Sequence, residues 1–197
     1  MLTQHLHEPP VRAREIFAAE DGGRGDEQGR AALAELTDVL VVHTAVDLDR
    51  RAVVEQLPQL CDAVAVGGGT ARADRPRLDA REVDTPRGQP RRLVFSRSAL
   101  PDGVRGELEV RSGPLDEELR SLAADGVQTL LLEGGPTLAA AFFAADLVDK
   151  ILVFVAPLLG GDGPGLLAAL PSPRALSQLG SRRVGDDVLL EAYVHEP

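Results

Sequence analysis

Two apolar segments of this 197-residue chain each lead directly into a glycine-rich turn, and this repeated unit strongly constrains the fold. Residues 62–66 end at Gly67-Gly68-Gly69-Thr70, and residues 127–132 end at Glu133-Gly134-Gly135-Pro136-Thr137. Sequence suited to a helix follows each turn, so each unit predicts a strand, a tight turn and a helix. Continuously apolar strands are typical of parallel sheets that helices cover on both faces.

The remaining apolar runs fit the same architecture. Strands are predicted at 39–46, 92–95, 108–111 and 150–155, and helices at 48–60, 71–73, 115–125 and 138–145. Apolar residues on both sides of Gly185-Asp186-Asp187 predict a closing antiparallel hairpin. A hydrophobic content of 44% suffices for one core. We therefore predict one domain over residues 37–197, preceded by an N-terminal extension, residues 1–36, that is helical or partly disordered.

Charge and cysteine content exclude several kinds of partner. The formal net charge is −10, and no cluster of basic residues is interleaved with aromatic ones, which disfavours nucleic acid. The single cysteine, Cys61, rules out an internal disulfide framework and fits a reducing compartment such as the cytoplasm. No apolar run approaches a membrane span, and the histidines lack metal-site spacing, so we expect neither a membrane partner nor a metal.

Both glycine turns suggest a phosphate site. Unpaired N–H groups at the start of a helix favour an anion, and glycine lets a ligand approach the backbone. In a parallel sheet both turns emerge at the carboxyl edge, where ligands usually bind. A tight turn without a ligand is the alternative for each. Neither turn has the spacing of a Rossmann fingerprint or a P-loop.

Charged residues near the turns add candidate ligand contacts. Glu133 ends a strand at the same edge, where its carboxylate could accept hydrogen bonds from a polar heterocycle or a sugar. Favourable interaction with a helix dipole is the simpler alternative. Asp74, Arg77 and Arg81 cluster after the first turn, and arginine suits phosphate, although a solvated loop explains them nearly as well.

Two ordered blocks of sequence carry a family resemblance. Residues 62–78, which read DAVAVGGGTARADRPRL, and residues 132–139, which read LEGGPTLA, resemble riboflavin-biosynthesis pyrimidine reductases of the RibD C-terminal domain family. The similarity continues through 147–149, 155–160 and 185–188. It implies a single α/β domain of the dihydrofolate-reductase-like fold, with a mainly parallel central sheet flanked by helices and an antiparallel C-terminal hairpin.

The resemblance also implies a function. It predicts an NADPH-dependent reductase that acts on a small-molecule substrate, a ribosylaminopyrimidine phosphate, and converts its ribosylamino group to ribitylamino. It also implies a homodimer. The cofactor-binding positions would be Gly67, Gly68, Gly69, Thr70, Asp74, Ser96, Gly134, Gly135, Pro136, Thr137 and Leu138. The substrate-binding positions would be Leu78, Arg81 and Glu133, and the catalytic ones Asp49 and Glu133. Arg72 and Arg97 are candidates for the 2′-phosphate, and the Gly134–Gly135 bond is a candidate cis peptide.

The sequence departs from the family at the start of the domain. The nearest match to the family's Ser-Leu-Asp-Gly motif is Asp47-Leu48-Asp49-Arg50, which implies that the covering loop after it is deleted. In the alternative register residues 49–62 align without a gap, and the motif would fall at Ala19-Glu20-Asp21-Gly22, a poorer match. Aligned from Asp62, Pro58 stands where the family has a substrate-phosphate arginine. Three interpretations follow: a riboflavin-pathway reductase, a related reductase with another substrate, or an inactive fold relative that serves as a binding protein. A Rossmann dehydrogenase is a weaker alternative, since only Asp84 could supply its acidic ribose-binding residue.

Overall fold

The computed structural model describes residues 38–44, 61–80, 88–158 and 165–195, which form one sheet with helices between its strands. The strands are β1 (Asp38–Thr44), β2 (Ala63–Gly67), β3 (Arg91–Phe95), β4 (Glu109–Arg111), β5 (Thr129–Leu132), β6 (Lys150–Val155), β7 (Ser177–Val184) and β8 (Asp187–Tyr193). The helices are α1 (Gly68–Asp74), α2 (Asp102–Arg105), α3 (Leu115–Ala124) and α4 (Pro136–Ala144).

The strands follow the order β4-β3-β2-β5-β1-β6-β8-β7 across the sheet. All neighbours from β4 to β6 are parallel, whereas β8 runs antiparallel to β6 and β7 antiparallel to β8. This arrangement confirms the predicted parallel sheet with an antiparallel C-terminal hairpin. The carboxyl ends of the two strands that precede the glycine turns, β2 and β5, are therefore adjacent.

Alternate side chains of the central strands enter two separate core layers, as the period of a strand requires. One layer contains Val64 and Val66 of β2, together with Ala71 of α1. The other contains Ala63 and Ala65 of β2, and α3 and α4 cover it. The members of this second layer from the two helices are Leu119, Leu122, Ala139, Phe142 and Phe143. Because both faces are covered, the strands are apolar throughout, which is the pattern from which they were predicted.

Both helices after the glycine turns begin earlier than the sequence predicted. The structure starts α1 at Gly68, not at Ala71, and α4 at Pro136, not at Leu138. Proline fits the first helical position because its fixed φ suits a helix and its missing N–H is not needed there. The glycine turns are thus the N-termini of the helices themselves. The short helix α2 was not predicted.

Several predictions concern residues beyond the described ranges. The helix at 48–60 and the extension at 1–36 lie outside them, so the domain boundary at 37 stays a prediction. Within the described ranges, no helix is long and apolar enough to cross a membrane.

Candidate functional site

The pairing of β2 with β5 brings the two glycine turns together. Ala65 lies opposite Leu132 in the parallel register, and the N–H of Glu133 donates to the Ala65 carbonyl at 2.9 Å. Beyond this point the turns contact each other. A Cβ on Gly135 would lie 3.7 Å from Thr70 Oγ1, and one on Gly67 would lie 3.5 Å from Leu138 Cβ. The residues predicted from two distant parts of the sequence therefore form one continuous surface.

Ser96 completes the side of this surface next to the first turn. A Cβ on Gly68 would overlap the Ser96 hydroxyl and lie 2.7 Å from Ser96 Cβ, so only glycine fits against this serine. Ser96 is held on both sides: its N–H donates to the Arg111 carbonyl at 2.9 Å, and its hydroxyl donates to the Ser98 carbonyl at 2.9 Å. The structure thus brings Ser96 to the first turn, where the resemblance implies it.

The N-termini of α1 and α4 both present backbone donors at this surface. Their N-cap residues, Gly67 and Gly135, have extended backbones, and neither makes a side-chain capping hydrogen bond. At α4 the Gly135 carbonyl accepts from the N–H groups of Leu138 and Ala139, both at 3.1 Å. Among the described residues no side chain caps the remaining first-turn amides, which at α4 means the Thr137 N–H alone, because Pro136 has none. Such amides and the helix dipole favour an anionic group.

Glu133 brings a carboxyl group to the same edge. It follows the last residue of β5, is partly buried, and has no side-chain hydrogen bond or ion pair with any described residue. Burial raises the pKa of the Glu133 carboxyl above its usual range, because the charged form is poorly solvated there. A carboxyl group in this state can donate a hydrogen bond or a proton as well as accept one. Groups with such perturbed pKa values are frequent in functional sites.

The structure gives less support to the remaining predicted residues. Asp74 is exposed at the end of α1, whereas Leu78 is buried in the core layer of Val64 and has a left-handed φ of 54°. The described peptide bonds are all trans, so the cis bond expected between Gly134 and Gly135 is wrong: Gly135 is an extended N-cap of a regular helix. Asp49 and Arg81 lie outside the described residues.

Two arginines lie around the first turn. Arg72 reaches from α1 to the loop after β3, where its Nη1 donates to the Ala99 carbonyl at 3.2 Å. The same nitrogen would be 3.4 Å from a Cβ on Gly68. Arg97 lies in that loop and is exposed. Arg72 therefore borders the glycine surface and places a positive charge next to the first turn.

Two tertiary contacts could not be predicted from the sequence. The Ala168 N–H donates to the Pro136 carbonyl of α4 at 3.1 Å. The Gln89 side chain both accepts from the Ala80 N–H, at 2.9 Å, and donates to the Ala80 carbonyl, at 3.0 Å. The sequence holds no local signal for either contact, because each joins residues that only the tertiary fold brings together.

Comparison with known proteins identifies the family of this chain. The model of the RibD C-terminal domain matches residues 17–190. The chain belongs to this family. Its members include the riboflavin biosynthesis protein RibD of Mycobacterium tuberculosis, which is 38% identical over 69% of this chain, and that of Corynebacterium ammoniagenes, 40% identical over 54%. This chain spans only 40% and 34% of the lengths of these two proteins.

A relative of similar size also matches. The 2,5-diamino-6-ribosylamino-4(3H)-pyrimidinone 5′-phosphate reductase of Methanothermobacter thermautotrophicus is 31% identical, and the match covers 72% of this chain and 83% of that protein. Among solved structures, Acinetobacter baumannii RibD has a TM-score of 0.70 at 19% identity, covering 81% of this chain and 58% of that one. This structural likeness confirms the dihydrofolate-reductase-like fold that the sequence resemblance predicted for this chain.

Proposed function

We propose that this member of the RibD C-terminal domain family is an NADPH-dependent reductase that converts the ribosylamino group of a pyrimidine phosphate to ribitylamino. The observation that carries the proposal is the contact between the two glycine turns, which places two uncapped helix N-termini next to each other. A dinucleotide carries a pyrophosphate that such paired amides suit. The reductase relative from Methanothermobacter supports the substrate class.

The residues of the turns fit the cofactor in chemistry and in shape. Residues 67–70 and 134–138, together with Ser96 and Asp74, would hold it. Gly69 is exposed, and a Cβ there would meet no atom of the described residues within 4 Å, so the backbone of the first turn is open to a ligand at this position. When bound, NADPH would supply a hydride to the substrate.

Glu133 is our candidate for the group that meets the substrate. Its carboxyl, which has no partner among the described residues and a raised pKa, could hold a polar group of the pyrimidine or supply a proton to the opened sugar oxygen. We retain Asp49 as a second catalytic candidate and Leu78 and Arg81 as substrate-binding candidates on the strength of the resemblance alone.

We further propose that the cofactor is NADPH and not NADH, with Arg72 and Arg97 facing the 2′-phosphate. Arginine binds phosphate through forked donors; the Arg72 side chain borders the first turn, and Arg97 is exposed directly after Ser96 in the chain. Replacing Arg72 by alanine should weaken NADPH binding by about tenfold, the effect of one charge-assisted hydrogen bond, and leave NADH binding unchanged. Arg120→Ala, at an exposed residue of α3, is the matched control.

We also propose that the protein is a cytoplasmic homodimer. Large apolar side chains are exposed around the antiparallel strands, and a second copy would cover them. They are Val155, Leu158, Leu176, Leu179 and Val188. Sedimentation at micromolar concentration should give the mass of a dimer, and a monomer would contradict this part of the proposal.

The decisive experiment is a fluorescence titration of the purified protein with NADPH, followed by an assay with the ribosylaminopyrimidine phosphate. Gly69→Asp and Gly135→Asp should abolish binding, because each adds a side chain and a negative charge at a turn where a Cβ fits without a clash. Gly103→Asp makes the same change in open space on α2 and should bind normally. Binding without turnover would favour a reductase with another substrate. Absence of binding by the wild-type protein would favour the binding-protein interpretation.

A further inference from the structure

A segment that neither the motifs nor the proposed site accounts for lies along α4. We call residues 165–174 the α4 strap. Its Ala168 N–H donates to the carbonyl of Pro136, the first residue of α4, at 3.1 Å. Its Arg174 Nη2 lies 3.5 Å from the carbonyl of Phe143, in the last turn of the same helix. The strap therefore contacts both ends of the helix whose N-terminus forms the second glycine turn.

The contact at the N-terminal end is reinforced by apolar packing. Leu167 and Leu170 are partly buried against the core layer that includes Ala139 and Phe142 of α4. Leu166, next in the chain, is instead 41% exposed. Leu167 thus anchors the strap on this core layer, and the hydrogen bond of its neighbour Ala168 to Pro136 fixes the strap at the first turn of α4.

The contact at the other end is electrostatic. Arg174 pairs with Asp146 at 2.7 Å, just beyond the C-terminus of α4. A cation in this position also interacts favourably with the helix dipole. Arg174 is 39% and Asp146 54% exposed, so this ion pair contributes little energy by itself. The two ends of the strap therefore differ in kind: packing and a backbone hydrogen bond at the glycine turn, and a solvated ion pair away from it.

We propose that Leu167 and Ala168 are positioning residues, which hold the first turn of α4 in the arrangement that binds the dinucleotide. This inference rests on the proposed function. Backbone amides bind an anion well only when they are held in place beforehand, and the N-cap of α4 has no side-chain cap to do this. The strap supplies the missing restraint from the side of the helix.

The test compares Leu167→Ala with the adjacent control Leu166→Ala. If the competent arrangement of the turn falls to about one fifth of the population, the apparent Kd for NADPH rises about fivefold. We expect this rise for Leu167→Ala and no change for Leu166→Ala. Arg174→Gln should lower the melting temperature slightly without changing the Kd. Val127→Ala, in the same core layer but in the loop before β5, should lower stability and also leave the Kd unchanged.

Amide hydrogen exchange gives a second measurement that needs no cofactor. The Leu138 and Ala139 amides of α4 should exchange faster in Leu167→Ala than in either the wild type or Leu166→Ala. An unchanged Kd for Leu167→Ala, or equal rises for Leu166→Ala and Val127→Ala, would overturn the inference while the proposed function stands. Failure of the wild-type protein to bind NADPH would overturn both, and the wild-type titration alone reports it.

Discussion

Replacing Gly68 by alanine should destabilise the protein, whereas the same change at Gly69 should not. A Cβ on Gly68 would lie 2.7 Å from Ser96 Cβ and overlap the serine hydroxyl, while a Cβ on Gly69 meets nothing within 4 Å. Rotation of the Ser96 hydroxyl cannot relieve the contact with its Cβ, so the backbone must move. The hydrogen bond from the Ser96 N–H to the Arg111 carbonyl, at 2.9 Å, resists that movement.

The expected magnitudes have opposite signs at the two positions. Overpacking of this kind typically costs about 1–3 kcal/mol, so Gly68→Ala should lower the free energy of unfolding by that amount. Gly69→Ala should raise it by up to about 0.5–1 kcal/mol, because alanine loses less conformational entropy than glycine in a helix. In a domain of this size each kcal/mol corresponds to about 2–4 °C in melting temperature.

Urea and thermal unfolding of the two variants test this reasoning, and a double variant isolates its cause. Gly68→Ala combined with Ser96→Gly removes the clashing side chain and should recover most of the lost stability, which gives a coupling energy between the two positions. Gly68→Ala as stable as Gly69→Ala would refute the close approach of Ser96. Failure of Ser96→Gly to rescue would show that another neighbour causes the loss.

The remaining predictions concern buried polar groups. Glu133→Gln should abolish reduction. It should also become more stable than the wild type as pH rises from the usual glutamate pKa through the raised one, because the native wild type holds this proton more tightly than the unfolded state and loses stability over this range. Urea unfolding of both proteins across this pH range measures the difference in the free energy of unfolding. Gln89→Leu leaves the N–H and C=O of buried Ala80 without the side-chain partner and should cost about 1–3 kcal/mol, with Gln89→Glu costing less because it keeps an acceptor. Glu191→Ala removes the carboxylate paired with buried Lys150 and should cost about 3 kcal/mol, whereas Lys150→Met combined with Glu191→Leu replaces the whole pair by apolar side chains and should be nearly neutral; thermal melts decide both.

Strand positions could be predicted from the sequence because a strand that is buried on both faces has a continuously apolar sequence. Residues 91–95 and 150–155 form strands within one residue of the predicted ends, and the C-terminal hairpin turns where Gly185 indicated. The hairpin is longer than predicted, since β7 begins at Ser177. This strand lies at the edge of the sheet with mostly exposed side chains, so no apolar run marks it.

The helix starts and the supporting contacts could not be predicted in the same way. Glycine has a low helix propensity, so a run of three glycines predicts a turn. The structure instead begins α1 at Gly68. The reason is tertiary: α1 must start close to the strand because Ser96 packs directly against Gly68. The contact of Ala168 with Pro136 likewise joins positions that no periodicity relates.

The position of Glu133 could be predicted from the sequence, but the raised pKa of its carboxyl could not. Its position after an apolar run places it at the carboxyl edge, and that much follows from residue order alone. Its raised pKa does not, because it depends on burial beside β2 and on the absence of a described partner, which the order of strands across the sheet determines. Two chains with the same glycine turns could thus present this carboxyl in different protonation states. For this reason the pH dependence of the Glu133→Gln comparison tests the fold around the site, and not only the identity of the residue.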